Sequence, residues 1–419
     1  MANWKLYTPD GTTELLPGQC AYKTSVENSI CEVFEDFGYK VVETPVMQFY
    51  DAYTTPSGTI AQEVMYKFFD RDGRILVLRP DITTCIARMA SGKLSDGIIP
   101  KRLYYSGKVF RYADRLYDVS CEFCQAGIEL IGAKTDEADA EVISCAIEAL
   151  LSTGLEKFQI EVGQVEFFKG LIAASNISDE TSEKIRALID KKDSFAIEQL
   201  LKDMDIDEYI KNLICKLPIL FGDIDVLDSI DLSRLPKQSK DAILNLKNVY
   251  SVLCDYGLAK YISFDLSLVQ GINCYTGIIF KGITHGIGYS ICSGGRYDGL
   301  CGEFGSDLPA VGMAIETDRL ISVLSRNDEM EHAQSSDLLI YCEDNRLKYR
   351  LLKSLRHEGY IAEDYVLGGN FNDALSYAKN AKIHGVMNIS NAEDSVTIHN
   401  LEDGSVSECD LCELLGEEE

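Results

Sequence analysis

Positive charge is what this 419-residue sequence most lacks. Lys and Arg number 40 against 67 Asp and Glu, for a formal net charge of −27. Proteins that hold a nucleic-acid backbone rely on Lys and Arg to release counterions, so no nucleic-acid partner is expected. No run approaches the roughly 18 apolar residues of a membrane helix, so no membrane partner is expected either. Residues 1–10 have neither a basic start nor an apolar stretch of signal-peptide length. The 14 cysteines show no dense framework spacing and sit inside apolar segments such as Ser29–Val33, which predicts reduced thiols in a cytoplasmic protein. His285, His332, His357, His384 and His399 show no metal spacing at i, i+4 and no nucleophile partner. Cys121/Cys124 and Cys409/Cys412 are each spaced like half a zinc site, but they fall in different modules and zinc needs four converging ligands. No metal and no cofactor are expected.

What is present is the material for packed cores. Apolar residues make up 46% and aromatics 9%, which excludes wholesale disorder, and the length suits two to three domains. Tyr22, Val26, Ile30, Val33, Phe34 and Phe37 recur at helical spacing, and Gly38 closes that helix. Strands are expected at 40–46, 75–78, 103–112, 122–131 and 158–162, with helices starting near Asp81 and spanning 136–153. Residues 166–257 are charged and helix-patterned, and read as a helical insertion. Strand patterning resumes at 261–269, 275–281 and 288–292, before a helix through Ile315, Leu320 and Leu324. The polar stretch 327–336 reads as a linker between a core of 1–326 and a small α/β domain of 337–419. From Ser336 onward there are seven basic and seventeen acidic side chains, a net charge of −10.

Four separated segments carry the chemistry. They are Leu78–Thr83; Val109–Arg111 with Cys121–Gln125 and Glu129; Leu268–Gly277; and Ser293–Leu300 with Val311–Ala314 and Asp318-Arg319. They read as strand ends and tight turns bearing Asp81, Thr83, Gln125, Glu129 and Tyr275, with one cation, Arg111. A free amino acid is a zwitterion. Its ammonium suits carboxylate and amide oxygens, and its carboxylate suits a planar guanidinium. Gly294-Gly295 is either a turn or a place of close backbone approach. Glu129, between Ile128 and Leu130, either faces solvent from a half-buried strand or belongs to the site.

In this order the segments resemble histidyl-tRNA synthetase, a class II aminoacyl-tRNA synthetase, over nearly the whole chain except the insertion. The stretch from Phe110-Arg111 to Phe123-Cys124-Gln125 is similar to the second class-defining motif. Gly271–Gly277 and Gly294–Leu300 resemble two histidine-specific segments, and Arg319 sits where the third class motif ends in Arg. The resemblance implies an α+β fold, a six- to seven-stranded antiparallel sheet with flanking helices, and a dimer interface near 40–46. It puts Asp81, Thr83, Arg111, Gln125, Glu129 and Tyr275 in a histidine pocket. Arg111 would hold the carboxylate, Asp81, Thr83 and Gln125 the ammonium, and Glu129 with Tyr275 the imidazole.

The departures concentrate on nucleotide-handling positions. Gln270 stands where the family has the Arg that supports attack on ATP, and losing one transition-state donor can cost roughly 100- to 1,000-fold in rate. Asn273 and Cys274 replace Asp and Tyr. Ala113 replaces the Glu that helps hold adenine, Asp114 and Cys121 replace arginines, and Glu316 stands where the family has Gly. Amino-acid recognition survives while the grip on nucleotide does not. This pattern resembles the synthetase paralogues that act as regulatory subunits of ATP phosphoribosyltransferase in histidine biosynthesis. The resemblance implies a noncatalytic subunit, a homodimer within a larger hetero-oligomer, a short-form catalytic subunit as partner, and histidine as feedback ligand. A divergent but working histidyl-tRNA synthetase is the alternative, and a paralogue that binds another amino acid or a protein is a third.

Overall fold

The computed structural model describes residues 4–55, 60–112, 120–269, 274–325, 335–389, 395–410 and 414. The expectations that fall on Ala113, Asp114, Gln270, Asn273 and Cys412 lie outside these residues. The chain divides into two compact units, residues 1–16 with 22–330 and residues 17–21 with 331–419.

The opening helix runs over Pro17–Asp36 and buries Val26, Ile30 and Phe34, a stripe at four-residue spacing. Gly38 follows at φ +81°, the left-handed conformation that lets the chain turn out of the helix. The larger unit is organised by a nine-stranded sheet. Its six central strands, in spatial order Lys101–Phe110, Glu122–Ile131, Ala310–Glu316, Cys292–Arg296, Ile278–Thr284 and Phe158–Gln164, are all antiparallel neighbours. These six match the antiparallel sheet expected, and the further strands are added at its edges. Lys40–Val41 adds to one edge in parallel, Ile262–Asp265 adds in parallel at the other, and Phe221–Gly222 of the insertion completes that edge. The expected strand over 40–46 shortens to Lys40–Val41. Pro45 has no N–H for a ladder, and pairing resumes in a separate small sheet at Met47–Phe49.

The insertion is helical, from Val165–Ala174 to Lys237–Asp255, with Phe221–Gly222 its short strand. Its helices start where polar side chains take up orphan N–H groups. Ser178 accepts from Thr181, Asp193 from Ala196, and Asp207 from Tyr209 and Ile210. In the smaller unit, the strands Ala362–Asp364, Leu338–Cys342 and Gly385–Ile389 are parallel, and the hairpin Ser395–Asn400 with Val406–Asp410 extends them. Helices Asn345–His357 and Phe371–Asn380 bury opposite faces of that sheet, against Ile340 and Met387 and against Leu339 and Val386 respectively.

Strand alternation sets up the site. Along Glu122–Ile131, Ala126, Ile128 and Leu130 face the main core, where helix Asp136–Ser152 packs. Phe123 and Ile131 belong to the opposite face, under helix Thr83–Ser91. Gln125, Gly127 and Glu129 share the parity of that second face. Across the ladder they stand against Glu316, Ala314 and Gly312.

Candidate functional site

One cavity of about 180 Å³ opens on this second face, and Asp81, Thr83, Arg111, Gln125, Glu129 and Tyr275 all line it. Strands Glu122–Ile131, Cys292–Arg296 and Ala310–Glu316, the flanks of two more and the start of helix Thr83–Ser91 build the wall, so that Asp81 and Tyr275, 194 positions apart in the chain, share it. Ile60, Ser293, Gly294, Tyr297, Gly312, Met313, Ala314 and Glu316 complete the described wall.

Asp81 and Thr83 are fixed by the turn from strand Ile75–Leu78 into helix Thr83–Ser91. Asp81 accepts the Thr84 backbone N–H at 3.1 Å and the Thr84 hydroxyl at 3.2 Å, and its own carbonyl accepts the Tyr53 hydroxyl at 3.2 Å. The neighbouring Arg79 is buried. It donates to the carbonyls of Lys108 at 2.8 Å and Thr44 at 2.6 Å, which pins the turn to the sheet. Gly107 leaves the room for it, since a Cβ there would stand 2.5 Å from the Arg79 guanidinium. Arg111 lies just past strand Lys101–Phe110. Its Nε donates to the Pro80 carbonyl at 2.7 Å and its guanidinium carbon sits 5.3 Å from the Phe123 ring centroid. Both contacts orient the fork.

Glu129 is the most buried acid of the cavity, 1% exposed, so the solvent-facing alternative is excluded. Thr83 donates to its Oε1 at 2.7 Å, and the Tyr297 hydroxyl donates to its Oε2. Burial pushes its carboxyl up to about 8, against the opposing pull of those two hydrogen bonds. The phenols of Tyr105 and Tyr297 are likewise raised, first by burial and then by Glu129 beside them. Burial also raises the Tyr275 phenol.

Tyr297 and Gly312 are the functional residues that reading the sequence missed. Tyr297 stood within the Gly-Gly-Arg-Tyr-Asp segment, but nothing local says that its hydroxyl reaches a glutamate 168 residues away. Gly294-Gly295 is not a turn. Both lie inside strand Cys292–Arg296, and a Cβ on Gly295 would stand 2.6 Å from the Ile278 carbonyl and 2.8 Å from the Tyr275 ring. These glycines serve close approach, the other of the two expectations.

Of the substituted positions, three are described: Cys121, Cys274 and Glu316. Cys274 is half-buried, and burial raises its thiol. Cys121 packs against Gly11, whose carbonyl accepts its N–H at 2.7 Å. Glu316 lines the cavity and pairs with Arg319, Oε2 to Nε, at 2.7 Å. Cys124 is buried and hydrogen-bonded to Lys23, so the sulfurs of Cys121 and Cys124 serve different neighbours. Among the described residues, no group of His, Cys, Asp and Glu is arranged to hold a metal ion. No helix among them is long and apolar enough to cross a membrane.

The wall thus offers three acids, Asp81, Glu129 and Glu316, and one cation, Arg111. A small zwitterion with a further hydrogen-bonding group matches that donor and acceptor set. The family model for histidyl-tRNA synthetase matches residues 11–320. The solved structure of histidyl-tRNA synthetase from Nostoc sp. superposes with a TM-score of 0.80 over 98% of both chains at 22% identity, a likeness of fold. A structure from Bacillus halodurans, described as an ATP phosphoribosyltransferase regulatory subunit/histidyl-tRNA synthetase, also gives 0.80 at 27% identity, over 93% of this chain and 99% of that one. Fold and matches define a class II, histidyl-tRNA synthetase-like protein.

The ATP phosphoribosyltransferase regulatory subunit of Acetivibrio thermocellus is 44% identical over 99% of this chain and 100% of its own length. That of Ruminiclostridium cellulolyticum is 38% identical over 99% of both. The chain belongs to the ATP phosphoribosyltransferase regulatory subunit family.

Proposed function

We propose that this chain is a noncatalytic subunit that binds free histidine in the cavity, enables a short-form ATP phosphoribosyltransferase catalytic subunit, and carries feedback inhibition by histidine. The observation that supports this reading best is the convergence of Asp81, Thr83, Arg111, Gln125, Glu129 and Tyr275 on one small cavity. In this reading Arg111 holds the ligand carboxylate. Asp81, Gln125 and the oxygen of Thr83 accept from the ammonium, while the Thr83 hydroxyl keeps donating to Glu129. Glu129 and Tyr275 face the imidazole. A Leu or Phe side chain there would leave the buried Glu129 short of a partner, which favours histidine. Feedback needs a difference in histidine affinity between two assembly states, typically about 1–3 kcal/mol.

The same reading has a homodimer form through the surface near Lys40–Val41, within a larger hetero-oligomer. Val41, Met47 and Phe49 are 66%, 61% and 51% exposed, and such apolar exposure supports an interface there. It also keeps the core at 1–326, with its helical insertion, and the C-terminal domain at 337–419.

Calorimetric titration of the purified protein with histidine, alone and with the short catalytic subunit, tests the role. Saturable binding and histidine-dependent inhibition of the complex are expected. No binding in either setting would reject it. Histidine-dependent pyrophosphate exchange into ATP tests the alternative, a divergent synthetase; the proposed subunit gives none.

A further inference from the structure

Tyr275 lines the cavity from just outside the sheet ladder. The strand that follows it, Ile278–Thr284, opens with Ile278 opposite Gln164, and the Val165 N–H reaches one step further, to the Gly277 carbonyl at 3.1 Å. Tyr275 lies before that point, and other groups hold the backbone that carries its side chain. The peptide unit between Tyr275 and Thr276 is gripped at both ends. Its N–H, on Thr276, donates to the Arg296 carbonyl at 2.8 Å. Its carbonyl, on Tyr275, accepts from the Lys169 ammonium at 3.1 Å. The first partner belongs to the sheet. The second comes from helix Val165–Ala174, the first of the insertion, 106 residues earlier in the chain.

Lys169 is itself held. Glu166, one turn before it, accepts its ammonium at 2.8 Å through Oε1 and takes the Gln238 amide at 2.6 Å through Oε2. Gln238 belongs to helix Lys237–Asp255, which closes the insertion. The two helices meet at Gly170, where a Cβ would stand 2.4 Å from the Ser239 hydroxyl, and that hydroxyl donates to the Phe167 carbonyl at 2.9 Å. An ion pair between residues three apart on a helix contributes little by itself. Here the half-buried ammonium has a further partner, a backbone carbonyl beside the ligand cavity.

We propose that Lys169 is a positioning residue for the cavity, through which the helical insertion sets the placement of the Tyr275 ring against the ligand. Its ammonium bridges Glu166 and the Tyr275 carbonyl, so the backbone under the ring is tied to two helices of the insertion as well as to the sheet. Without that ammonium the carbonyl loses a charged donor, Glu166 loses a cation, and one of the two anchors of the peptide unit is gone. A contact made from a loosened backbone is weaker, because the ordering it needs then has to occur on binding. The insertion is in this account part of the binding apparatus. The assignment rests on the reading of the cavity as a histidine site in which Tyr275 faces the imidazole.

The test is a double-mutant cycle on the full-length protein, read by calorimetric titration with histidine. Lys169→Met keeps the stem and removes the donors. It is expected to bind histidine about tenfold more weakly, while Lys169→Arg, which can still bridge the two oxygens, stays within about threefold of the unmodified protein. In a Tyr275→Ala background, Lys169→Met is expected to lower affinity by less than about twofold, since the side chain it places is gone. A merely structural lysine would lower affinity equally in both backgrounds. Thermal melts establish that each protein is folded, and Tyr275→Leu replaces the alanine variant should that one not fold. Unchanged affinity in folded Lys169→Met, a loss that Lys169→Arg does not restore, or an equal loss with and without the Tyr275 side chain would each overturn the proposal. No histidine binding by the unmodified protein would instead reject the histidine reading, and with it the assignment built on that reading.

Discussion

Gly312 lies directly across the ladder from Glu129, and a Cβ built on Gly312 would overlap the Glu129 Oε2 atom. The buried carboxyl group lies where it does because the facing strand has no side chain at that position. Gly312→Ala must therefore move Glu129 or the strand. The expected outcome is at least about tenfold weaker histidine binding and about 1–3 kcal/mol lower stability, the usual range for overpacking. Calorimetry and urea denaturation check the two effects separately.

The raised pKa of Glu129 makes a signed prediction about pH. Its carboxyl sits at about 8 in the folded protein, above the value of roughly 4.3 for an unfolded chain. The folded state then binds the proton more tightly, so this contribution to stability is complete below about pH 4 and is lost as pH rises through about 8. Glu129→Gln removes it. Between about pH 5 and pH 8, the unmodified protein is expected to lose up to several kcal/mol relative to the variant. Urea melts at the two ends of that window measure it, and parallel behaviour of both proteins would refute it.

Arg111 has its Nε committed to Pro80, which aims the guanidinium. Arg111→Ala is expected to weaken histidine on the order of 100-fold, the loss of charged hydrogen bonds worth about 3 kcal/mol. Histamine has the imidazole and amine but no carboxylate. Its affinity is expected to change by less than about threefold. Paired titrations of both ligands distinguish lost carboxylate recognition from a damaged cavity.

Tyr297→Phe keeps the ring and removes the hydroxyl that donates to Glu129. Histidine affinity is expected to fall about tenfold, the range for one hydrogen bond to a carboxylate. A midpoint of thermal unfolding within a few degrees of the unmodified protein would show that the ring still packs. Unchanged affinity would argue that Tyr297 only fills space.

Much of this architecture was legible because it rests on periodicity. The stripe Val26–Ile30–Phe34, the alternation along 122–131 and the helix over Asp136–Ser152 follow from spacing alone. The six cavity residues were legible together through their resemblance to a family, whereas Glu129 alone was ambiguous between solvent and site. What spacing could not reveal was partnership at long range. The parallel edge strands Lys40–Val41 and Ile262–Asp265 are short, and their pairing depends on neighbours far away in the chain. Gly294-Gly295 has the composition of a turn, and only the closeness of the Ile278 carbonyl and the Tyr275 ring makes those glycines strand residues. The Tyr297–Glu129 bond and the Glu316–Arg319 pair depend on where strands end, the boundary that patterning locates least well.

Arg296 and Tyr297 are consecutive, and they grip opposite sides of the sheet. Arg296 reaches Asp139 on helix Asp136–Ser152 at 2.7 Å, with both side chains nearly sealed from water, while Tyr297 reaches Glu129. A single peptide unit thus joins the helix packed on one face to the cavity on the other, like a lever with a very short arm. Displacing either end therefore pulls on the other, and the two faces of the sheet are tied at this one point.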